Sequence, residues 1–396
     1  MVLVEDVRGL KSLVDIAVDL RRDIHMHPET AFEEKRTAGL VADRLRELGI
    51  TVHTGLAGTG VVGVLEGLKP GTRTIGLRAD MDALFIQEDT GLPYQSIIDG
   101  KMHACGHDGH TAMLLGAAEY LAKRNDFSGV VVFIFQPAEE SEGGAREMIK
   151  EGLFQRFPCD AIYGMHNMPG MPAGHFAIKH GPLFAAGDTW QVVFEGTGGH
   201  GAFPDRSTDP SAALGAFLSS YQHIISRRIP AREAAILRIG FIEGGNFSSP
   251  NIIPSEILVR GTARSYTAQI RDRLEKNLDD VARSCAAVFG CTARSKYQRR
   301  YPPLINHAIQ TEIAIQAARS VAGSTVVDAD TSIQGGSEDF AFMLEERPGA
   351  YILMGNGDGP DAPFVHTPKY DFNDDVIPHG IAYWVNLVAE ELDESV

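Results

Sequence analysis

Apolar positions recur at helical spacing near the start of the chain. Leu10, Leu13, Val14, Ala17, Leu20 and Ile24 share one face, and Pro28 should end that helix. Leu40, Val41, Leu45 and Leu48 repeat the pattern, with Gly49 placed as a C-terminal cap. Short apolar runs then take over. Val61–Leu65, Thr74–Leu77, Val130–Phe135, Ala161–Met165 and Ala350–Met354 read as strands, and Ala112–Leu121 reads as a helix among them. The unbroken β-branched and aromatic run at Val130–Phe135 suits a central strand buried on both faces. Helices alternating with buried strands predict an α/β layered domain with a mostly parallel central sheet flanked by helices.

The texture changes near Gly187. A strand at Trp190–Phe194 is followed by a helical pattern over Pro210–Ile225, strands at Ala235–Phe241 and Ile257–Arg264, a helix over Ala268–Phe289 and a strand at Thr292–Tyr297. This succession predicts a small α+β, ferredoxin-like unit with one open sheet. Pro302-Pro303 then breaks the chain. Residues 187–300 are therefore expected as a domain inserted into another made of residues 1–186 and 301–396. A chain of 396 residues exceeds what one hydrophobic core usually serves, which agrees with two domains.

Bulk charge narrows the partners. A net charge of −16 opposes both nucleic acid and an anionic membrane surface. No stretch approaches the roughly 20 unbroken apolar residues of a membrane helix, and the first residues lack the basic-then-apolar pattern of a secretion signal. Four cysteines in this length make no disulfide framework, and Cys159, Cys285 and Cys291 read as small buried apolar residues. A cytoplasmic protein with no membrane partner is expected.

Five segments place polar, metal-capable groups just after an apolar strand-like run or at the start of the next helix. They are Arg78-Ala79-Asp80-Met81-Asp82, His103 to His110, Gln136-Pro137-Ala138-Glu139-Glu140, His166-Asn167 and Val365-His366-Thr367-Pro368. Ligands in open α/β sheets collect at the carboxyl ends of strands. Any one of these histidines alone would more often be a hydrogen-bonded structural residue, and Glu139-Glu140 alone a solvated loop. Coincidence at five strand ends favours a metal site. Thiolate, imidazole and carboxylate together suit zinc or a neighbouring divalent transition metal rather than calcium or magnesium. Gly106 and Gly109 are expected to let backbone and metal approach closely.

Arg78-Ala79-Asp80-Met81-Asp82-Ala83-Leu84, Met102 to His110, Phe135 to Glu140, Gly198-Gly199-His200-Gly201-Ala202 and Gly336-Ser337-Glu338-Asp339-Phe340 resemble the bacterial and plant amidohydrolases. That family includes hippurate hydrolases, N-acyl-amino-acid amidohydrolases and auxin-conjugate hydrolases, and is related to the aminoacylase and carboxypeptidase metallopeptidases. The resemblance runs in order from His25-Met26-His27-Pro28-Glu29 over nearly the whole chain. It implies that Cys105, His107, Glu140, His166 and His366 hold a pair of divalent ions (Zn, Mn, Co or Ni), with Glu139 as general base. It implies that the inserted domain serves as lid and dimerisation module, with His200 reaching a partner subunit's site in a homodimer or higher homo-oligomer. Asn251 and Arg264 match positions that grip the substrate carboxylate in related aminoacylases. The implied substrate is a small N-acyl amino acid.

Each role has a plainer rival. His200 could cap a turn among its glycines, Arg264 could form a surface ion pair, and Glu338 and Asp339 either line the pocket or cap a helix. Asp80 and Asp82 are expected to orient ligands rather than bind metal, and His103 and His110 to hydrogen-bond beside them. Phe85 and Asp205 depart from the family pattern, where proline and histidine are common, which bears on substrate preference. A thiol hydrolase using Cys105 and His107 would leave the carboxylates without a purpose. A metal-binding protein without catalysis would not need Glu139. A dipeptidase or carboxypeptidase would run the same amide cleavage.

Overall fold

The computed structural model describes residues 2–392 apart from 141, 358 and 360. Residues 1 and 393–396, the ends of the expected catalytic segments, lie outside the described residues. Contacts divide the chain into two compact units, one of residues 1–183, 305–332 and 339–396, the other of residues 184–304 and 333–338.

The first unit begins with helices α1 (Lys11–Met26) and α2 (Lys35–Glu47), followed by strands β1 (Thr51–Leu56), β2 (Gly60–Glu66) and β3 (Lys69–Asp80). Helix α3 (His107–Arg124), β4 (Ser128–Gln136) and β5 (Ala161–Pro169) follow. The second unit contributes β6 (Ala186–Glu195), α4 (Pro210–Ser220), β7 (Ala235–Gly244), β8 (Glu256–Ser265), α5 (Ala268–Val288) and β9 (Thr292–Tyr301). The chain then returns to the first unit as α6 (Ala308–Ala322), α7 (Phe340–Glu346), β10 (Gly349–Gly357) and α8 (Ile377–Leu392).

The large sheet runs β1-β2-β4-β3-β5-β10, extended by the two-residue strands Phe176–Ala177 and Val327–Asp328. Its centre is parallel: β3 pairs that way with β4 and β5, and β10 with β5. The β1 and β2 margin is antiparallel. As the sequence predicts, β4 is central, and Val131 to Gln136 are buried throughout. Helix α3 packs between α1, α8 and the sheet. It is buried over His107 to Leu121, which explains why no polar face is visible in its sequence.

The second unit is an antiparallel sheet in the order β7-β8-β6-β9 with α4 and α5 packed on it. Trp190, Val192, Phe194, Phe217, Leu274 and Leu278 fill its core. Asp209 caps α4 by accepting from the Ser211 amide, with Pro210 at the first helical position, and Thr267 caps α5 through the Ile270 amide. The helix expected over Pro210–Ile225 ends at Ser220; the chain resumes as a π-turn at Ile224–Arg228, which buries Ile224 in that core.

Candidate metal centre

Strand β3 ends at Asp80, β4 ends at Gln136 and β5 carries His166 near its carboxyl end. The parallel arrangement brings these three ends to one side of the sheet. Gly106, at φ 90°, turns the chain into α3, whose first residue is His107. Two non-glycine residues here adopt left-handed backbone, Ala138 at φ 52° and His366 at φ 64°. Such conformations persist where surrounding contacts hold them. The His366 amide donates to the Ala104 carbonyl at 2.7 Å, which fixes the C-terminal loop beside Cys105.

Potential ligand atoms of Cys105, His107 and His166 lie within 4.8 Å of one another, as do those of Cys105, Glu140 and His366, and those of His107, Glu139 and Glu140. These overlapping groups bring six sequence-predicted residues together. Hydrogen bonds orient them. His107 Nδ1 donates to Asp82 Oδ1 at 3.1 Å, and the Glu140 amide donates to Asp82 Oδ2 at 3.0 Å. His166 Nδ1 donates to the Asn167 carbonyl at 2.6 Å, and its Nε2 stands 3.4 Å from Cys105 Sγ. His366 Nε2 is 3.2 Å from Glu140 Oε1. With Nδ1 of His107 and His166 used as donors, each Nε2 is the ring nitrogen left to face a cation.

The donor set fits a divalent transition ion. His107 Nε2 and Glu140 Oε1 are buried and lack hydrogen-bond partners among the described residues. Burial pushes the Cys105 thiol well above its usual range, and the neighbouring Glu140, Glu139 and Asp80 push it further. Burial disfavours a charged His107, yet Asp80, Asp82 and Glu140 outweigh this and raise it to about 10. The cluster therefore calls for positive charge at its centre, which a divalent ion supplies.

Asp80 and His110 sit beside this group. His110 Nδ1 donates to Asp80 Oδ1 at 2.6 Å, and its Nε2 accepts from the Asn167 amide at 3.0 Å, so both ring nitrogens are engaged. Arg78 donates to Asp80 at 2.7 Å and to Asp339 at 3.0 Å. Asp339 also accepts from Gln136 and from the Ala145 amide, each at 2.9 Å. It thus knits the ends of β3 and β4 together and makes no side-chain cap to α7, although it stands at that helix's start. Its amide donates to Glu139 Oε1 at 3.3 Å.

Two expectations need correction, and one residue gains a role. His103 is buried with neither ring nitrogen hydrogen-bonded among the described residues, and burial lowers it to about 4, so the expected hydrogen bonding is absent. The clearance at Gly106 is taken by Asn167 and Tyr370, and that at Gly109 by the Phe372 ring, so the glycines admit side chains from other segments. Asn167, to which the sequence assigns no role, donates to the Cys105 carbonyl at 2.6 Å and accepts from the Tyr370 hydroxyl at 2.8 Å. Its place directly after His166 was the available signal.

The remaining candidates belong to the second unit. His200 is exposed, pairs with Ile252 in a two-stranded ladder, and accepts from the Ala202 amide through Nδ1 at 3.1 Å. The Asn251 carbonyl accepts from the Gly201 amide at 2.8 Å, which places Asn251 beside His200. Arg264 lies on β8, half-buried, with its guanidinium donating to the Ala263 carbonyl at 3.0 Å; among the described residues it has no carboxylate partner. Glu338 is buried in this unit. Asp205 is exposed, and so, in the first unit, is Phe85, with Lys101 over its ring.

Residues 76–390 match the sequence profile of Peptidase family M20/M25/M40. The chain belongs to that family. It is 36% identical over 375 residues to a hippurate hydrolase from Campylobacter jejuni, covering 94% of this chain and 96% of the relative. It is 36% identical over 378 residues to an N-acetylcysteine deacetylase from Bacillus subtilis, covering 95% and 97%. Among solved structures, a dinuclear metal binding M20 peptidase from Bacillus subtilis superposes with a TM-score of 0.85 at 33% identity, covering 97% of this chain and 99% of that one. The resemblance drawn from the motifs is thus a family relationship, and this M20 member is a metal-dependent hydrolase of linear amides.

Proposed function

We propose that the chain hydrolyses the amide bond of N-acyl amino acids, releasing a carboxylic acid and a free amino acid. The observation that carries this is the convergence of Glu139 with the thiol, imidazole and carboxylate donors. The names of the hippurate hydrolase and deacetylase relatives point to the same substrate class. Cys105, His107, Glu140, His166 and His366 would hold two divalent ions of the Zn, Mn, Co or Ni type. When bound, such ions supply Lewis acidity and lower the pKa of water from about 15.7 towards 7. Glu139 takes the proton of the attacking water and returns it to the leaving nitrogen. His200 stabilises the oxyanion. Arg264, whose guanidinium meets no carboxylate among the described residues, grips the substrate carboxylate together with Asn251.

A homodimer built through the second unit belongs to this reading. Strand β7 lies at a sheet edge with Ile236, Phe241 and Ile242 exposed, and Phe247 beyond it is fully exposed. Apolar edges of this kind are normally covered. No helix among the described residues is long and apolar enough to cross a membrane, and all four cysteines are unpaired, which supports a cytoplasmic setting.

The test is a screen of N-acetyl, N-benzoyl and indole-acetyl amino acids and dipeptides on protein loaded with each metal, beside Glu139→Gln. We expect acyl amino acids to be cleaved, chelation to abolish cleavage, and Glu139→Gln to bind metal normally with activity at least about 100-fold lower. A preference for dipeptides would turn the reading to a peptidase of the same chemistry. Undiminished activity in Glu139→Gln would refute the assigned base.

A further inference from the structure

Glu34, on the segment leading into α2, is a fully buried carboxylate with no ion pair among the described residues. Its oxygens are instead spent on neutral donors. Oε1 accepts from the amides of Phe32 at 3.1 Å and Ala138 at 2.9 Å, and Oε2 accepts from the Thr59 hydroxyl at 2.7 Å. Burial drives the Glu34 pKa up to about 7, with the Thr59 bond opposing this. An anion buried without a cation is costly, so its place in the fold calls for a reason.

The two amides supply one. Phe32, at φ 60°, and Ala138, at φ 52°, are both non-glycine residues held in left-handed backbone. One carboxylate oxygen therefore anchors two strained turns. The second turn matters most, because Ala138 directly precedes Glu139 and Glu140. Its carbonyl accepts from the Gly144 amide at 2.9 Å, so the turn is held from both sides. A glycine at 138 would adopt this backbone freely, yet the chain has alanine, whose conformation depends on the anchor.

We propose that Glu34 is a positioning residue for the metal centre. Its carboxylate holds the left-handed Ala138 turn and thereby sets where the Glu139 and Glu140 side chains emerge from the end of β4. This rests on the reading of Glu139 as base and Glu140 as ligand, and it makes a claim about backbone support that can be measured apart from catalysis.

The experiment combines Glu34→Ala with Ala138→Gly and follows cobalt binding by calorimetry and absorption alongside kinetics. Removing the anchor should weaken cobalt binding by about 10-fold and lower kcat by about 10- to 100-fold, with KM changing little. Adding Ala138→Gly should restore most of both, because glycine needs no anchor at this φ. Glu34→Gln keeps an acceptor for both amides and should resemble the parent. If Glu34→Ala does not fold, Glu34→Asp, whose carboxylate is one methylene short of the Ala138 amide, carries the same comparison. Parental cobalt binding without the anchor, or failure of glycine to restore it, overturns the proposal. A parent that cleaves no acyl amino acid but shows the cobalt pattern would refute the substrate reading and leave the anchor standing.

Discussion

Gly106 and Asn167 are packed so closely that a methyl group on the glycine would overlap the Asn167 side-chain amide. The same methyl would collide with the Tyr370 hydroxyl. The contact matters because Asn167 holds the Cys105 carbonyl and follows His166 in sequence. Gly106 also sits at φ 90°, where any side chain is strained.

Gly106→Ala should therefore damage the metal centre through two routes at once. Backbone strain and overpacking together should cost about 2–4 kcal/mol of stability. Cobalt absorption should shift, because Cys105 and His166 lose their common support. Thermal unfolding with and without metal measures both effects. Near-parental melting and spectrum would show that Asn167 can move aside.

Asp82 offers a sharper probe of ligand orientation. Its two oxygens take the His107 ring and the Glu140 amide. Asp82→Asn keeps the shape but cannot accept from both donors, so one of the two residues loses its guide. Metal affinity is expected to fall about 10- to 100-fold, in the range for residues that orient ligands. Competition against a chromogenic chelator gives the value directly.

The motifs name the six clustered residues because Cys105 and His107 open a helix and the others follow apolar strand-like runs, and such runs, Val130–Phe135 among them, are legible in the sequence. What the sequence hides is support arriving from distant segments. Glu34 reaches Ala138 across 104 positions, and Tyr370 reaches Asn167 across 203. No periodicity joins such pairs. Helix α8 is similarly muted, since residues buried over most of its length leave little polar alternation to detect. The inserted unit is plainer, because α5 has one polar face and its strands are bounded by turns.

Arg264 tests the substrate anchor. A half-buried guanidinium with no carboxylate partner among the described residues is suited to binding one from a ligand. Arg264→Ala should raise KM for acyl amino acids by about 10-fold or more, the cost of one charge-assisted contact. The corresponding amino-acid amides, which lack the carboxylate, should be cleaved equally by parent and variant. A variant that loses kcat on both substrates would assign Arg264 to another role.

His25 links stability to pH. It is buried, its Nδ1 lies 2.7 Å from Asp108 and its Nε2 3.4 Å from Glu88. Burial disfavours its charged form, but Asp108 and Glu88 outweigh burial and the nearby Arg21, raising the imidazole from 6.5 to about 9. The folded protein thus binds this proton more tightly than the unfolded chain. The stabilisation is complete below pH 6.5 and fades as pH rises through 9, with a total on the order of 3 kcal/mol. His25→Gln should therefore be less stable than the parent at pH 6, and the gap should narrow steadily towards pH 9.5. Urea unfolding of both proteins at matched metal loading measures the gap at each pH, and the comparison cancels titrations that the two share. A gap that stays constant across this window would mean that His25 is neutral in the fold and that Asp108 is balanced by Arg21 alone.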